Sequence, residues 1–140
     1  MDLRVPISRY QGRLPWPAKG RITRKFGVYK DPEFNTRQRQ NGIDIAMPIG
    51  TPVTTVYSGR VLYADWFKSY GNVVIVDHGE KVVSFYAHLS DIAVTRNAFL
   101  EKDALIGTSG DTGSLDGAML HFEIRRQTEP ENPLDWLKRR

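Results

Sequence analysis

The sequence contains no cysteine. Disulfide staples and thiolate metal ligands are thereby excluded, and any metal would have to be held by nitrogen and oxygen donors. Long apolar runs are also missing. No stretch approaches the roughly 20 consecutive apolar residues of a membrane-spanning helix, and Met1 to Tyr10 lacks the apolar core of a secretory signal. On those grounds the chain reads either as cytosolic or as an excised piece of a longer exported protein. Strong charge patterning is the third absence. The net charge is +4, a mild excess compatible with nucleic acid, an anionic cell wall or an acidic protein patch, and selective for none of them. The cations are scattered, apart from Arg37, Arg39 and the closing Lys138-Arg139-Arg140. With no basic helical stripe and no nucleic-acid-binding motif, nucleic acid is not expected among the partners.

What is present suits one globular domain of short strands. The 140 residues are 40% hydrophobic and 26% charged, which is enough to bury a core without staples. Twelve Gly and eight Pro are spread along the chain and favour turns over long helices. Residues 1–15 read as a lead-in, since Pro6, Pro15 and Pro17 exclude a regular element over about the first 20 residues, with Trp16 anchoring it to a domain over 16–140. The polar stretch Val28 to Gln40 reads as a long surface loop, a common place for function, and whether it covers a cleft is open.

From Gly42 onward the texture is that of strands. Ile43, Ile45, Val53, Val56, Val61 and Tyr63 are spaced in near alternation, and Ser58-Gly59 marks a turn. Val73 to Val76 and Val82 to Tyr86 flank Asp77-His78-Gly79-Glu80, which predicts a hairpin with His78 in a structural place. Leu105-Ile106-Gly107 predicts a short strand running into a glycine-rich loop from Ser109 to Gly117. Met119 to Arg126 alternates best: Leu120, Phe122 and Ile124 belong to the core, while Met119, His121, Glu123 and Arg125 share the other face and wall a groove. Pro133 starts a short closing helix through Trp136 and Leu137. The expected fold is all-β, mainly antiparallel sheets in a sandwich or barrel, with a short C-terminal helix. Taken singly, Asp44 four residues after Gln40 is an ordinary turn neighbour, and a lone His121 is more often hydrogen-bonded filler than a ligand.

In series, the motifs carry more. Gly42-Ile43-Asp44-Ile45-Ala46, Gly50-Thr51-Pro52-Val53, Gly59-Arg60-Val61, Tyr70-Gly71-Asn72, Tyr86-Ala87-His88-Leu89 and Leu120-His121-Phe122-Glu123-Ile124, closed by Asn132-Pro133-Leu134, resemble the lysostaphin/LytM family of zinc peptidoglycan endopeptidases and its duplicated-hybrid-motif fold. In that family a His and an Asp four residues later bind zinc, and the second His of a late His-x-His pair is the third ligand. The first His of the pair and another in Tyr-Ala-His handle protons. Carried over residue by residue, the ligand positions hold Gln40, Asp44 and His121, and the proton-handling positions hold Met119 and His88. Gln40 offers only a neutral amide oxygen, a poor zinc donor, and Met119 carries no exchangeable proton. The resemblance so read implies no zinc cofactor and no catalysis, with Gln40, Asp44, His121, His88 and Met119 as vestigial positions.

Ala64 to Asn72 and Phe122 to Gln127 narrow the resemblance to the EnvC type of murein hydrolase activator. This implies a non-catalytic domain that binds and activates a cell-wall amidase, an N-acetylmuramoyl-L-alanine amidase, during wall remodelling and cell separation. It implies a periplasmic or cell-envelope location, an upstream coiled coil and a membrane division complex. The matching groove positions are Asn41, Ile43, Tyr70, His121 and Arg125, with Arg125 placed to pair with an acidic residue of the partner. Tyr70 reads equally as a turn aromatic packing on Trp66. Two alternatives stand beside this reading: an active zinc-dependent endopeptidase in which Asn41 or a neighbour replaces the lost ligand, and a passive peptidoglycan-binding module.

Overall fold

β-Branched and aromatic residues fit a pleated, half-buried surface, and here they build one large sheet. The computed structural model describes residues 5–140, so Met1–Arg4, the start of the expected lead-in, lie outside the described residues. In chain order the strands are β1 (Arg21–Arg24), β2 (Gly27–Asp31), β3 (Thr36–Gln40), β4 (Ile43–Ala46), β5 (Pro52–Thr54), β6 (Gly59–Trp66), β7 (Asn72–Asp77), β8 (Val82–Ile92), β9 (Phe99–Leu100), β10 (Leu105–Ser109), β11 (Met119–Arg126) and β12 (Glu129–Glu131). The main sheet runs β1-β4-β11-β8-β7-β6-β9, with β10 joining β8 to β5 and β12 on β11, while β2 and β3 form a separate ribbon. These strand pairings are all antiparallel. The fold is therefore all-β, as the alternation predicts. Among the described residues no helix is long and apolar enough to cross a membrane.

The alternation in β11 sets the layers. Leu120, Phe122 and Ile124 point into the main core with Ile43, Ile45, Val74, Val76 and Tyr86. On the opposite face of the sheet, Val73, Phe85 and Ala87 form a second apolar cluster on which Tyr63, Tyr70 and Ile75 pack. The predicted hairpin is β7–β8, and His78 under it is structural. Its ring nitrogens lie 2.8 Å from Ser58 O and 2.6 Å from Ser84 Oγ, and Ser84 donates onward to the Tyr86 hydroxyl at 2.8 Å.

Two expectations need correction. The described part of the lead-in is not irregular: Ile7–Tyr10 is a 3-10 turn, because Ile7 and Leu14 are fully buried anchors. Leu14 bridges to Leu137, and the Trp16 indole donates to Lys138 O at 2.8 Å. The stretch from Val28 to Gln40 is not a loop but the β2–β3 hairpin. Almost all of it is exposed, so it has no buried face and no alternation to betray it. The short closing helix is present as a 3-10 helix, Pro133–Asp135, capped by the Asn132 side chain accepting from Leu134 N at 3.1 Å.

One glycine locks the turn that will carry a groove residue. Gly71 has φ +69°, and a Cβ there would lie 2.2 Å from Thr112 O, a backbone atom with little freedom to retreat. The contact ties the 3-10 turn Lys68–Tyr70 to the glycine-rich loop, reinforced by Asn72 N–H donating to Thr112 Oγ1 at 3.1 Å. Gly71→Ala is expected to cost about 2 kcal/mol or more, from a strained φ together with a backbone clash. Urea unfolding would measure it, and an unchanged midpoint would count against this packing.

Candidate functional site

Register brings the groove together. His121 on β11 lies opposite Asp44 on β4 and opposite Ala87 on β8, so one face of the sheet presents Asp44, His121 and the residues two and four further along β11. The end of β3 supplies Gln40 and the next residue Asn41; β8 supplies His88 and the turn before β7 supplies Tyr70. Gln40, Asn41, Asp44, Tyr70, His88 and His121 line an open cleft of about 400 Å³, together with Met119, Glu123, Arg24, Arg39 and the loop from Gly113 to Asp116, whereas Arg125 is not among its lining residues.

The floor of the cleft is a chain of ions. His121 Nδ1 lies 2.7 Å from Asp44 Oδ1, and its Nε2 lies 2.7 Å from Glu123 Oε2. Carboxylates only accept, so a ring bonded on both sides donates from both nitrogens and is an imidazolium. Burial alone would lower its pKa; the bonds to Asp44 and Glu123 and their charges outweigh this and raise it from 6.5 to about 9. Glu123 is 0% exposed. Burial pushes its carboxyl up, but the His121 hydrogen bond and the charges of His121 and Arg125 together bring it below the usual range. Arg125 completes the chain, with Nε 2.8 Å and Nη2 2.7 Å from Glu123 Oε1. Asp44, His121, Glu123 and Arg125 alternate in sign, and together they are neutral.

These residues do not fit zinc. Gln40 brings an amide where a nitrogen or carboxylate donor is needed, and Met119 a thioether suited to softer ions. Among the described residues no group of three or more His, Cys, Asp or Glu is placed to hold a metal ion. His88 has a different character. Its Nδ1 donates to Thr112 O at 2.7 Å, which leaves Nε2 as the acceptor nitrogen. Burial lowers its pKa, so it is neutral at pH 7. Its φ of +66° is a strained backbone that a non-glycine residue adopts only when the surroundings impose it.

The wall is aromatic. The Tyr70 ring stacks with Phe67 at 6.1 Å and with His121 at 5.8 Å, and meets Phe85 edge-on at 5.1 Å. Tyr70 thus borders the cleft while packing on Phe67 and Phe85. Asn41 also borders the cleft. Ile43 does not: it is 0% exposed in the main core, because alternation along β4 sends Asp44 to the cleft and therefore Ile43 and Ile45 inward. Arg125 lies on the expected face, but Glu123 already engages it, so it is not an unpaired cation awaiting a partner. Glu123, placed on the groove face by alternation but given no role, is the residue whose importance the sequence concealed. Phe67 and Phe85 were likewise unmarked. Gln40 Nε2 and Asn41 Oδ1 are buried without a hydrogen-bond partner among the described residues.

The profile of Peptidase family M23 matches residues 38–133. The chain is 37% identical over 120 residues to the cell division protein DipM of Caulobacter vibrioides, covering 85% of this chain and 19% of that protein. It is 33% identical over 129 residues to the murein hydrolase activator EnvC of Escherichia coli, covering 92% of this chain and 30% of that protein. The chain thus spans less than a third of the length of either relative. Its fold superposes with a TM-score of 0.82 on a zinc containing peptidase from Vibrio cholerae, at 29% identity, covering 89% of this chain and 40% of that one.

Proposed function

We propose, from the premise that this chain belongs to Peptidase family M23, that its groove binds a protein rather than a metal, and that the protein is a cell-wall amidase which the domain activates. The carrying observation is the donor set: beside Asp44 and His121, 2.7 Å apart, the remaining ligand position holds the Gln40 amide, a poor donor to zinc. An ion chain occupies the place where a hydrolytic member of the family needs a cation, and it leaves a rigid, aromatic-walled cleft open to solvent. Such a cleft suits an amphipathic helix laid in a groove. Tyr70 is of the type enriched at binding hot spots, and the unpaired amide atoms of Gln40 and Asn41 offer a buried donor and acceptor that a partner's polar groups would satisfy. The similarity to EnvC supports the activator side of the reading, and the similarity to DipM supports a place in the cell envelope at division. Activation would act by population shift: the groove must bind the open form of the amidase better than its closed form.

The test is release of dye from labelled cell wall by a purified amidase, with and without this domain. Enhanced release, and none from the domain alone, is the expected result. Release by the domain alone would establish the endopeptidase alternative; pelleting with wall without any effect on the amidase would establish the passive binder. Tyr70→Ala is expected to reduce activation at least tenfold, the loss of a central aromatic anchor, with the fold retained. Tyr70 is the better probe than Arg125, because reversing Arg125 would also place two negative charges against each other at Glu123.

A further inference from the structure

A bulge aims one cation into the cleft. Ile22 on β1 pairs with Ile45 and packs on the main core. Plain alternation would give Arg24 the same face as Ile22. The register shifts between them, so that Arg24 pairs with Asp44. A bulge re-aims the side chain that follows it, and Arg24 lines the cleft on the side of Asp44. Its guanidinium is held there without being neutralised. It lies over the Tyr29 ring, 5.0 Å from the centroid, and donates from Nη2 to Gln38 Oε1 at 3.3 Å. Among the described residues it forms no ion pair. Of the acids bordering the cleft, Asp44 and Glu123 are engaged by His121, and Asp116 lies on an exposed loop. The ion chain of the floor is neutral, so Arg24 and Arg39 against Asp116 leave the cleft one positive charge in excess.

A second observation points to a ligand. Tyr29 and Gln38 are opposed on the β2–β3 ribbon, and Gln40, two residues beyond Gln38, shares their face. That is the face against which Arg24 packs. Gln40 is 9% exposed, and its Nε2 is a buried donor with no acceptor among the described residues. The next residue, Asn41, has the opposite lack: its Oδ1 is a buried acceptor with no donor among them. Arg24, Gln40 and Asn41 all border the cleft. Two donors, one of them charged, beside one acceptor match the free end of a peptide. The carboxylate would accept from Arg24 and Gln40, and the N–H of the same terminal residue would donate to Asn41 Oδ1. We infer that this corner of the cleft is a binding site for a peptide that ends in a free α-carboxylate. The site stands on the domain alone and does not depend on an amidase. A protein in the groove and a free peptide end would exclude one another, because both draw on Gln40 and Asn41.

The experiment titrates the isotopically labelled domain by NMR with four probes: N-acetyl-alanyl-alanine, its C-terminal amide, acetate, and a blocked acetyl-alanyl-glutamyl-alanine amide. The signals read are the side-chain amides of Gln40 and Asn41 and the Nε–H of Arg24. The free acid is expected to shift all three and to bind at least about tenfold more tightly than its amide, the worth of one charge-assisted hydrogen bond. Arg24→Gln is expected to weaken the acid about tenfold. Gln40→Met removes a buried donor that has no acceptor, so it is expected to weaken the acid while leaving the urea midpoint unchanged or higher, which no general loss of folding would do. Absence of binding, or equal binding of acid and amide, overturns the inference. So does acid binding that neither Arg24→Gln nor Gln40→Met weakens, since the anion then sits elsewhere. If acetate binds as tightly as the peptide acid, the corner holds a simple anion and the inference is overturned. If the blocked glutamyl peptide binds as tightly, the occupant is a side-chain carboxylate of a protein and the inference is again overturned. None of these results touches the activator reading, which the amidase assay tests separately.

Discussion

Glu123→Gln is expected to destabilise the domain by about 3–5 kcal/mol, the cost of breaking a buried ion pair from one side. Glu123 has no exposed surface, and it balances His121 on one oxygen and Arg125 on the other. The amide would leave a buried imidazolium with Asp44 as its one carboxylate and a part-buried guanidinium without a countercharge. Urea unfolding at pH 6 would measure the loss, and a change below about 1 kcal/mol would mean that the ion chain does not hold the sheet face together.

The same network gives stability a defined pH dependence. The folded pKa of His121, about 9, is above its ordinary 6.5. Its contribution is therefore complete below pH 6.5 and is lost as pH rises through about 9. The gap corresponds to about 3 kcal/mol. Glu123 works in the opposite sense. Its folded pKa is below 4.5, so its contribution is present above that value and disappears as pH falls. The network is strongest between about pH 5 and 6.5. Wild-type urea midpoints should fall clearly from pH 6 to pH 9.5, and Glu123→Gln should show a much shallower alkaline limb. Equal wild-type midpoints at the two pH values would refute the imidazolium.

The wild-type chain is expected to take up no stoichiometric zinc, and Gln40→His combined with Met119→His to take up one ion per chain. The first substitution would supply an imidazole beside Asp44 and His121, and three good donors with one open position make the usual catalytic zinc site. Zinc must then displace the proton on His121 Nδ1. With a pKa of about 9, only about one molecule in a hundred carries a neutral ring at pH 7. Binding should release about one proton per ion and tighten as pH rises toward 9. Calorimetry in two buffers of different ionisation enthalpy reads the proton, and elemental analysis reads the metal. One zinc per wild-type chain after purification would reverse the proposal for this groove.

Much of the scaffold was legible. Leu120, Phe122 and Ile124 are apolar at every second position, and the period of a strand is two, so their burial and the opposite placing of His121 and Glu123 follow from the chain alone. The same rule, applied to Ile43-Asp44-Ile45, would have put Ile43 in the core; position in a motif hid it. The β2–β3 ribbon was not legible, because a ribbon exposed on both sides obeys no burial pattern. Tyr70 was undecided, because a tyrosine before a glycine turn packs equally well on either neighbour until the sheet beneath it is known.

By itself the sequence determined which side chains could act and which face of each strand they share, since covalent periodicity is local. It also determined that amide and thioether groups stand at Gln40 and Met119. Only the tertiary structure decided the state of those side chains. Asp44 and His121 are separated by 77 positions in the chain, and their meeting depends on the register of β4 against β11. That register, with Glu123 closing on the other ring nitrogen, makes His121 a buried cation, because the charge of an imidazole is set by the groups around it in space.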